Sequence, residues 1–351
     1  MQYLKLGFIR IPYEIKNNGG DKLFSIFGIR IPFSVYKDSM GKKHYKVFGM
    51  KVKIPFKDKL FVTRRQVNFQ NRDSWSDREI RKMARSIFVE KQGYEPDFDN
   101  PKSMNEKIFW MKLNYHDPLV TRCCDKYSVK EYVLEKIGED MTVPVIGAWD
   151  SADDIDFDVL PDKFVLKVNW SSGFNIIVKD KSKMDQNAVV DKIKFWMQPE
   201  QNSYYQAFNW GYKDMKPIVY AEKYVEQLDG QLFDYKIYCS QGKTIFLFIS
   251  TDRYSGDGVT YDFFDMNFNH LDFTYGGKSH SKYKLEKPKS FDDMVKYAEI
   301  LSEPFPFVRV DFYEVDGNPL VGEMTFYSGG GILKFEPAEW DVRLGTMINL
   351  D

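Results

Sequence analysis

Phe307-Val308-Arg309-Val310-Asp311-Phe312-Tyr313 runs into Asp316-Gly317-Asn318 and returns as Pro319-Leu320-Val321-Gly322-Glu323-Met324-Thr325. Asp-Gly between two apolar runs is a hairpin signal, so this stretch predicts two antiparallel strands joined by a tight turn. With a three-residue loop over 316–318, residue 315 faces 319, Asp311 lies opposite Glu323, and Arg309 lies opposite Thr325. Alternation along a strand puts all four on one face. Two carboxylates across a hairpin in an apolar setting repel unless a cation sits between them. Hard divalent cations take carboxylate oxygens and keep open positions for phosphate, which makes Mg²⁺ the expected occupant. The ordinary alternative is a pair of solvent-facing charges on a half-exposed sheet. A two-residue turn would move the register by one and break the pairing.

Toward the N-terminus, Lys163-Phe164-Val165-Leu166-Lys167-Val168 reads as a buried strand carrying Lys167, followed by Ser171-Ser172-Gly173-Phe174-Asn175 and a returning strand to Lys179. Short Ser/Gly turns bring backbone N–H groups close to phosphate oxygens, although one glycine and two serines also describe many plain hairpins. A further apolar strand, Ile218-Val219-Tyr220-Ala221, ends at Glu222-Lys223-Tyr224-Val225-Glu226 and is followed by Asp234-Tyr235-Lys236. Alone it fits any edge strand.

Residues 76–160 read as helical. Ser76 and Glu79, then Ser103 and Glu106, are capping-box pairs ahead of apolar residues at helical spacing. Ser128 precedes a third helical run that Gly138 stops. From Val143 strands dominate, with helices expected near 186–197 and 291–302. Helices and strands that do not strictly alternate argue for an α+β fold with substantial antiparallel sheet.

The first 56 residues repeat. Gly7-Phe8-Ile9-Arg10-Ile11-Pro12 recurs as Gly28-Ile29-Arg30-Ile31-Pro32 and again from Gly49, a period of 21 residues. Residues 1–70 carry 15 Lys and Arg against 4 Asp and Glu, whereas the remainder carries 35 against 47. A basic β-repeat module (1–70) is therefore attached to an acidic domain (71–351), and an anionic partner is expected for the basic part. That partner is a membrane surface or a lipid-linked glycan; a packing or dimerising appendage is the plainer reading. Three cysteines and four scattered histidines offer neither a disulfide framework nor zinc-type spacing. With no transmembrane segment and no signal peptide in view, a cytoplasmic protein is expected, docking peripherally at the inner face of the membrane if the basic module binds there. Nucleic acid is not an expected partner, because the larger region is net acidic.

Taken in order, these segments resemble the TupA-like ATP-grasp family over roughly residues 95–347. The resemblance is carried by Asn105-Glu106-Lys107-Ile108-Phe109-Trp110, Asp125-Lys126-Tyr127-Ser128-Val129-Lys130, Leu160 to Lys167, Phe307 to Tyr313, Gly322 to Tyr327, and Trp340-Asp341. It implies two α+β lobes gripping ATP between antiparallel sheets. It also implies roles for individual residues. Lys167 looks like the strand lysine reaching ATP phosphates, and Ser171, Ser172, Gly173 and Asn175 look like part of the lid over them. Glu222 with the backbone of Lys223, Tyr224 and Val225 looks like the adenine hinge, and Glu226 is placed for the ribose. Lys236 would add a phosphate contact. Asp311 and Glu323 look like Mg²⁺ ligands, with Thr325 where wider ATP-grasp enzymes often have Asn. Arg309 and Arg253 would neutralise the transferred phosphoryl group. One departure stands out. Many relatives have a His-Gly-Ser or His-Asp-Ser segment where this chain has Trp170-Ser171-Ser172, and a lost glycine restricts backbone that must approach phosphate.

The activity implied is an ATP-dependent carboxylate–amine ligase working through an acyl phosphate. Its context would be a bacterial surface polysaccharide such as a capsule, with an amino acid joined to a sugar acid or amino sugar. Two alternatives remain at this stage. One is a glycosyltransferase using the Asp154-Ile155-Asp156 sequence as a metal motif; the other is an inactive nucleotide- or glycan-binding scaffold.

Overall fold

The computed structural model describes residues 75–350 apart from 171, 226–232 and 252–258; before residue 75 it describes only the backbone of seven strands, and of 205 and 206 only the backbone. The chain divides into two compact units, Met1–Asn71 and Arg72–Asp351.

In the first unit, β1 (Gln2–Leu6), β2 (Ile9–Asn18), β3 (Asp21–Ile26) and β4 (Ile29–Ile31) form an antiparallel sheet in that order. A second antiparallel sheet holds β5 (Phe33–Lys37), β6 (Lys43–Val47) and β7 (Met50–Val52). The repeat glycines at 7, 28 and 49 and all side chains of the basic module lie outside the described residues.

The second unit opens with four helices. In α1 (Asp77–Gln92) and α2 (Met104–Asn114) both capping boxes form, through Ser76/Glu79 and Ser103/Glu106, so each helix starts where its cap dictates. A short α3 (Pro118–Cys124) follows. Helix α4 (Val129–Ile137) ends at Gly138 in the left-handed conformation. Ser128 does not cap α4. Asp125 holds the turn that leads into it, accepting the backbone N–H groups of Tyr127 and Ser128 at 2.8 and 3.1 Å.

Two antiparallel sheets follow. The smaller has the order β10-β9-β11-β8, built from β8 (Val145–Trp149), β9 (Phe164–Val168), β10 (Asn175–Val178) and β11 (Val219–Lys223). Helix α5 (Gln186–Trp196) packs on it through Val189, Ile193 and Trp196. The helical run from residue 76 thus ends at Ile137, and β8 already belongs to the sheet. The larger sheet has the order β15-β14-β13-β12-β17-β18. Its members are β12 (Asp234–Ser240), β13 (Lys243–Thr251), β14 (Thr260–Phe264), β15 (His270–Leu271), β17 (Val308–Val315) and β18 (Asn318–Thr325). A minor pair, β16 (Thr274–Tyr275) and β19 (Phe335–Glu336), lies beside it in sequence order. Helices α7 (Phe291–Ser302) and α8 (Glu339–Gly345) complete the unit, after the single turn α6 (Ser203–Ala207).

The β17–β18 hairpin departs from the expected loop in an informative way. Its turn holds two residues, Asp316 and Gly317, both with positive φ (53° and 78°), and Val315 pairs with Asn318. Paired backbone twist favours that turn over a three-residue loop. The predicted register is nevertheless recovered from Asp311 onward. A bulge between Asp311 and Phe312 inserts Gly322 as the extra residue, and Asp311 then faces Glu323 and Arg309 faces Thr325. A β-carbon on Gly322 would stand 2.8 Å from Tyr313 Cε2. Gly322→Val is therefore expected to cost about 1–3 kcal/mol of stability, the range for overpacking, read as a shift in the urea-unfolding midpoint. A loss below about 0.5 kcal/mol, typical of surface changes, would show that the bulge does not depend on glycine.

Candidate functional site

The central strands of the larger sheet carry the charged groups. Lys236 on β12 pairs with Asp311 on β17, which in turn pairs with Glu323 on β18, so three neighbouring strands present their charges on one face. Phe307, Val308, Val310 and Phe312, fully buried, supply the apolar packing that locks β17 in place. A buried charge is tolerated only when it is paired and hydrogen-bonded, and this cluster satisfies that condition.

Arg309 is its hub. Its Nε donates to Asp311 Oδ1 at 2.6 Å and its Nη2 to Asp311 Oδ2 at 2.7 Å, a two-point fork. The same Nη2 reaches Glu323 Oε1 at 3.3 Å and Thr325 Oγ1 at 3.1 Å, and Nη1 donates to Ser328 Oγ at 3.1 Å. Lys236 Nζ lies 2.6 Å from Asp311 Oδ2 and 3.2 Å from Asp234 Oδ2. Lys126, just ahead of α4, meets Glu323 Oε2 at 2.9 Å. Burial alone would raise the Glu323 carboxyl, but the charges of Lys126, Arg309 and Lys236 outweigh it and hold that carboxyl well below its usual range. Burial works against the Arg309 charge, and Asp311, Tyr238 and Glu323 together more than offset it, so the guanidinium stays ionised.

A second cluster sits on the smaller sheet. Glu222, at the end of β11 and 3% exposed, is gripped by Lys167 Nζ at 2.5 Å and Lys130 Nζ at 2.7 Å. Burial pushes its carboxyl up, and the two ammonium groups pull it further down, for a net lowering. Lys130 on α4 also donates to the Val143 carbonyl at 2.7 Å, and burial lowers its own ionisation despite Glu222.

Between the sheets lies a cleft of about 350 Å³. Lys167, Ser172, Gly173 and Asn175 line it from the smaller sheet, and Asp234, Lys236, Arg309, Asp311 and Glu323 from the larger; Lys126 and Tyr220 also reach it. The turn between β9 and β10 needs Gly173, which adopts φ 78°. Trp170 points away from that opening. It is 2% exposed and donates Nε1 to the Trp196 carbonyl at 2.9 Å. Asn169 ties the same segment down, donating to Asp125 Oδ2 at 2.8 Å and accepting from the Ile218 N–H.

Eight of the sixteen expected site residues come together in this cleft. Thr325 touches Arg309 and Glu323 without lining it, and Glu222 lies behind Lys167. Lys223 is exposed, and Tyr224 and Val225 are half-buried beyond β11. Ser171, Glu226 and Arg253 lie outside the described residues. Asp154, Asp156 and Asp158 are exposed around a single turn at Ala152–Asp154 and do not line the cleft, which removes the metal-motif basis for a glycosyltransferase. Sequence reasoning assigned no role to Lys126 and Lys130. Both sit in the quoted Asp125–Lys130 segment, and no spacing rule links them to partners 197 and 92 residues away.

A model of the TupA-like ATP-grasp family matches residues 106–349, a span that contains the whole cleft. The chain belongs to the TupA-like ATP-grasp family. Its fold is accordingly the ATP-grasp fold, with the α+β sheets described above. No curated protein sequence matches it. Among solved structures, D-alanine–D-alanine ligase from Bacillus anthracis, complexed with ATP, is 17% identical, with 58% of this chain and 55% of that chain covered and a TM-score of 0.35. L-amino acid ligase from Bacillus licheniformis is 16% identical, over 76% and 58% of the two chains, at a TM-score of 0.43. Phosphoribosylamine–glycine ligase from Thermotoga maritima is 12% identical, over 59% and 48%, at 0.36. The chain spans little more than half the length of the first two, and similarity at this level leaves the reaction to be argued from the site. Among the described residues no helix of this family member is long and apolar enough to cross a membrane.

Proposed function

We propose that this ATP-grasp protein is an ATP-dependent carboxylate–amine ligase that builds an amide on a bacterial surface polysaccharide or its precursor. The observation that supports it is the pair Asp311 and Glu323, set opposite each other and ringed by Arg309, Lys236 and Lys126, across a cleft from Lys167 and the 172–175 turn. Three cations and three carboxylates, counting Asp234, leave that wall close to neutral. A bound triphosphate and its cation would re-partition these contacts rather than add an isolated charge.

The oxygen donors of Asp311, Glu323 and Thr325 fit a hard divalent cation, and these residues would hold Mg²⁺. Mg²⁺ there would neutralise charge on the phosphates. The protein's own groups supply the rest. Lys167 and Lys236 are placed to orient the phosphates, and Arg309 to stabilise charge on the transferred phosphoryl group. The acceptor carboxylate oxygen attacks the terminal phosphorus and ADP leaves. The amine nitrogen then attacks the acyl carbon, phosphate leaves and the nitrogen loses a proton. The 172–175 turn, with Gly173 giving its backbone freedom, is placed to cover the phosphates and exclude water. Glu222 to Val225 and Glu226 would hold the adenosine, and Ser171 and Arg253 would complete the phosphate cover.

The acceptors proposed are an amino acid and a sugar acid or amino sugar, on the strength of the family. The excess of Lys and Arg in residues 1–70 supports docking on an anionic glycan or membrane surface at the cytoplasmic side.

The test is thermal stability against ATP concentration with Mg²⁺. A ligand that binds only the folded state adds about 2.7 kcal/mol at one hundred times its Kd. We expect a Mg²⁺-dependent rise in the wild type and none in an Asp311→Asn/Glu323→Gln variant, each compared with its own nucleotide-free baseline. An unresponsive wild type would sink the ligase reading.

A further inference from the structure

Asp262, His270 and His280 lie apart from the nucleotide cleft and form, among the described residues, a compact group of candidate metal ligands with side-chain donor atoms within 4.8 Å of one another. The residues come from β14, β15 and the segment after β16, so only the fold assembles them. Asp262 is 3% exposed, and its ion pairs among the described residues are with the two imidazoles rather than with any lysine or arginine. A buried carboxylate is stabilised by paired charge and hydrogen bonds, and an ion between the three side chains would supply that charge.

We propose that Asp262, His270 and His280 bind one divalent ion of the Zn²⁺ class. Two imidazoles and a carboxylate suit Zn²⁺ and its borderline neighbours, whereas Mg²⁺ and Ca²⁺ prefer oxygen-only shells. His270 Nε2 stands 3.3 Å from Asp262 Oδ1. Ligands about 2.0–2.1 Å from a tetrahedral Zn²⁺ are about 3.3 Å from each other, so this pair is already at coordination spacing. The remaining contacts hold the donors in place. The Ser281 N–H donates to Asp262 Oδ2 at 3.0 Å, and the Tyr261 carbonyl lies 2.9 Å from His280 Nδ1. The same His280 Nδ1 stands 3.4 Å from Asp262 Oδ1, so an ion bound there would replace the Tyr261 carbonyl as the partner of that nitrogen. His270 is half-exposed, which leaves a path for the ion and room for a water as fourth ligand.

The site would have a structural consequence for the cleft. Tyr261 lines the cleft, and its neighbour Asp262 points to the opposite face of β14. An ion held by Asp262, His270 and His280 would cross-link β14, β15 and residues 280–281 behind that wall, supporting it without touching substrate.

The experiment is a Co²⁺ titration of chelator-stripped full-length protein, followed by visible ligand-field absorption. We expect one Co²⁺ per chain with the absorption of a low-coordinate nitrogen–oxygen site, displaced by one equivalent of Zn²⁺. His270→Gln and His280→Gln should each weaken binding at least about 10–100-fold, a loss that outer-shell changes alone can reach. Asp311→Asn/Glu323→Gln, which alters only the cleft, should leave the absorption intact. Unfolding curves of the histidine variants in chelator, matched to wild type in chelator, separate metal loss from misfolding. No visible absorption, absorption kept by both histidine variants, or thiolate charge-transfer bands pointing to cysteine would each overturn the proposal.

Discussion

Arg309→Ala is expected to lower unfolding stability by about 3–5 kcal/mol, the range for removing one partner of a buried ion pair. Arg309 is 9% exposed and its guanidinium bridges Asp311, Glu323, Thr325 and Ser328, so truncation leaves two carboxylates facing each other across β17 and β18. Lys236 remains on Asp311 and Lys126 on Glu323, each paired with only one of the two carboxylates. Arg309→Lys should recover only part of the loss, because an ammonium cannot reproduce the two-point fork on Asp311. Urea unfolding of the three proteins checks this. A loss under about 1 kcal/mol for the alanine variant would mean that water screens the pair as it does at a surface.

Glu222→Gln carries the second large effect, also about 3 kcal/mol or more, because it leaves Lys130 and Lys167 as neighbouring cations with a neutral amide between them. The folded-state carboxyl of Glu222 is held below its ordinary value by Lys167 and Lys130 against the raising effect of burial. Its contribution is therefore present in full above the unfolded glutamate value of about 4.3 and is lost as pH falls below that toward the folded value. Wild type should exceed the variant in stability at pH 7, and the gap should narrow as the pH drops below about 4. A gap that stays constant from pH 7 to 3 would show that Glu222 is not ionised in the folded protein. Lys167 faces the cleft in this cluster, so the same variant should also change the Mg²⁺-ATP midpoint.

The helix starts were legible because a capping box is local: Ser76 with Glu79 and Ser103 with Glu106 are three residues apart and satisfy their own backbone donors. The helices expected near 186–197 and 291–302 form over Gln186–Trp196 and Phe291–Ser302 for the same reason, since apolar periodicity is written into short windows. At α4 the local signal misled. Ser128 is where a cap belongs, but its side chain makes no capping bond; Asp125 instead holds the turn ahead of the helix and is itself held by Asn169, just after β9.

The sequence by itself determined that Asp311 would face Glu323 and Arg309 would face Thr325, although it reached that pairing through a three-residue loop the protein does not use. Turn chemistry chose the two-residue Asp316-Gly317 turn, and the bulge at Gly322 moved the register back by one residue. Local alternation and a turn signal sufficed to bring the right side chains to one face, while the bulge depended on how the strand packs against Tyr313. Only the tertiary structure could bring Lys126 to Glu323, Lys130 to Glu222, and His270 and His280 to Asp262. Those contacts join separate elements, and their distances are set by how helices and sheets pack, for which no spacing along the chain is a substitute.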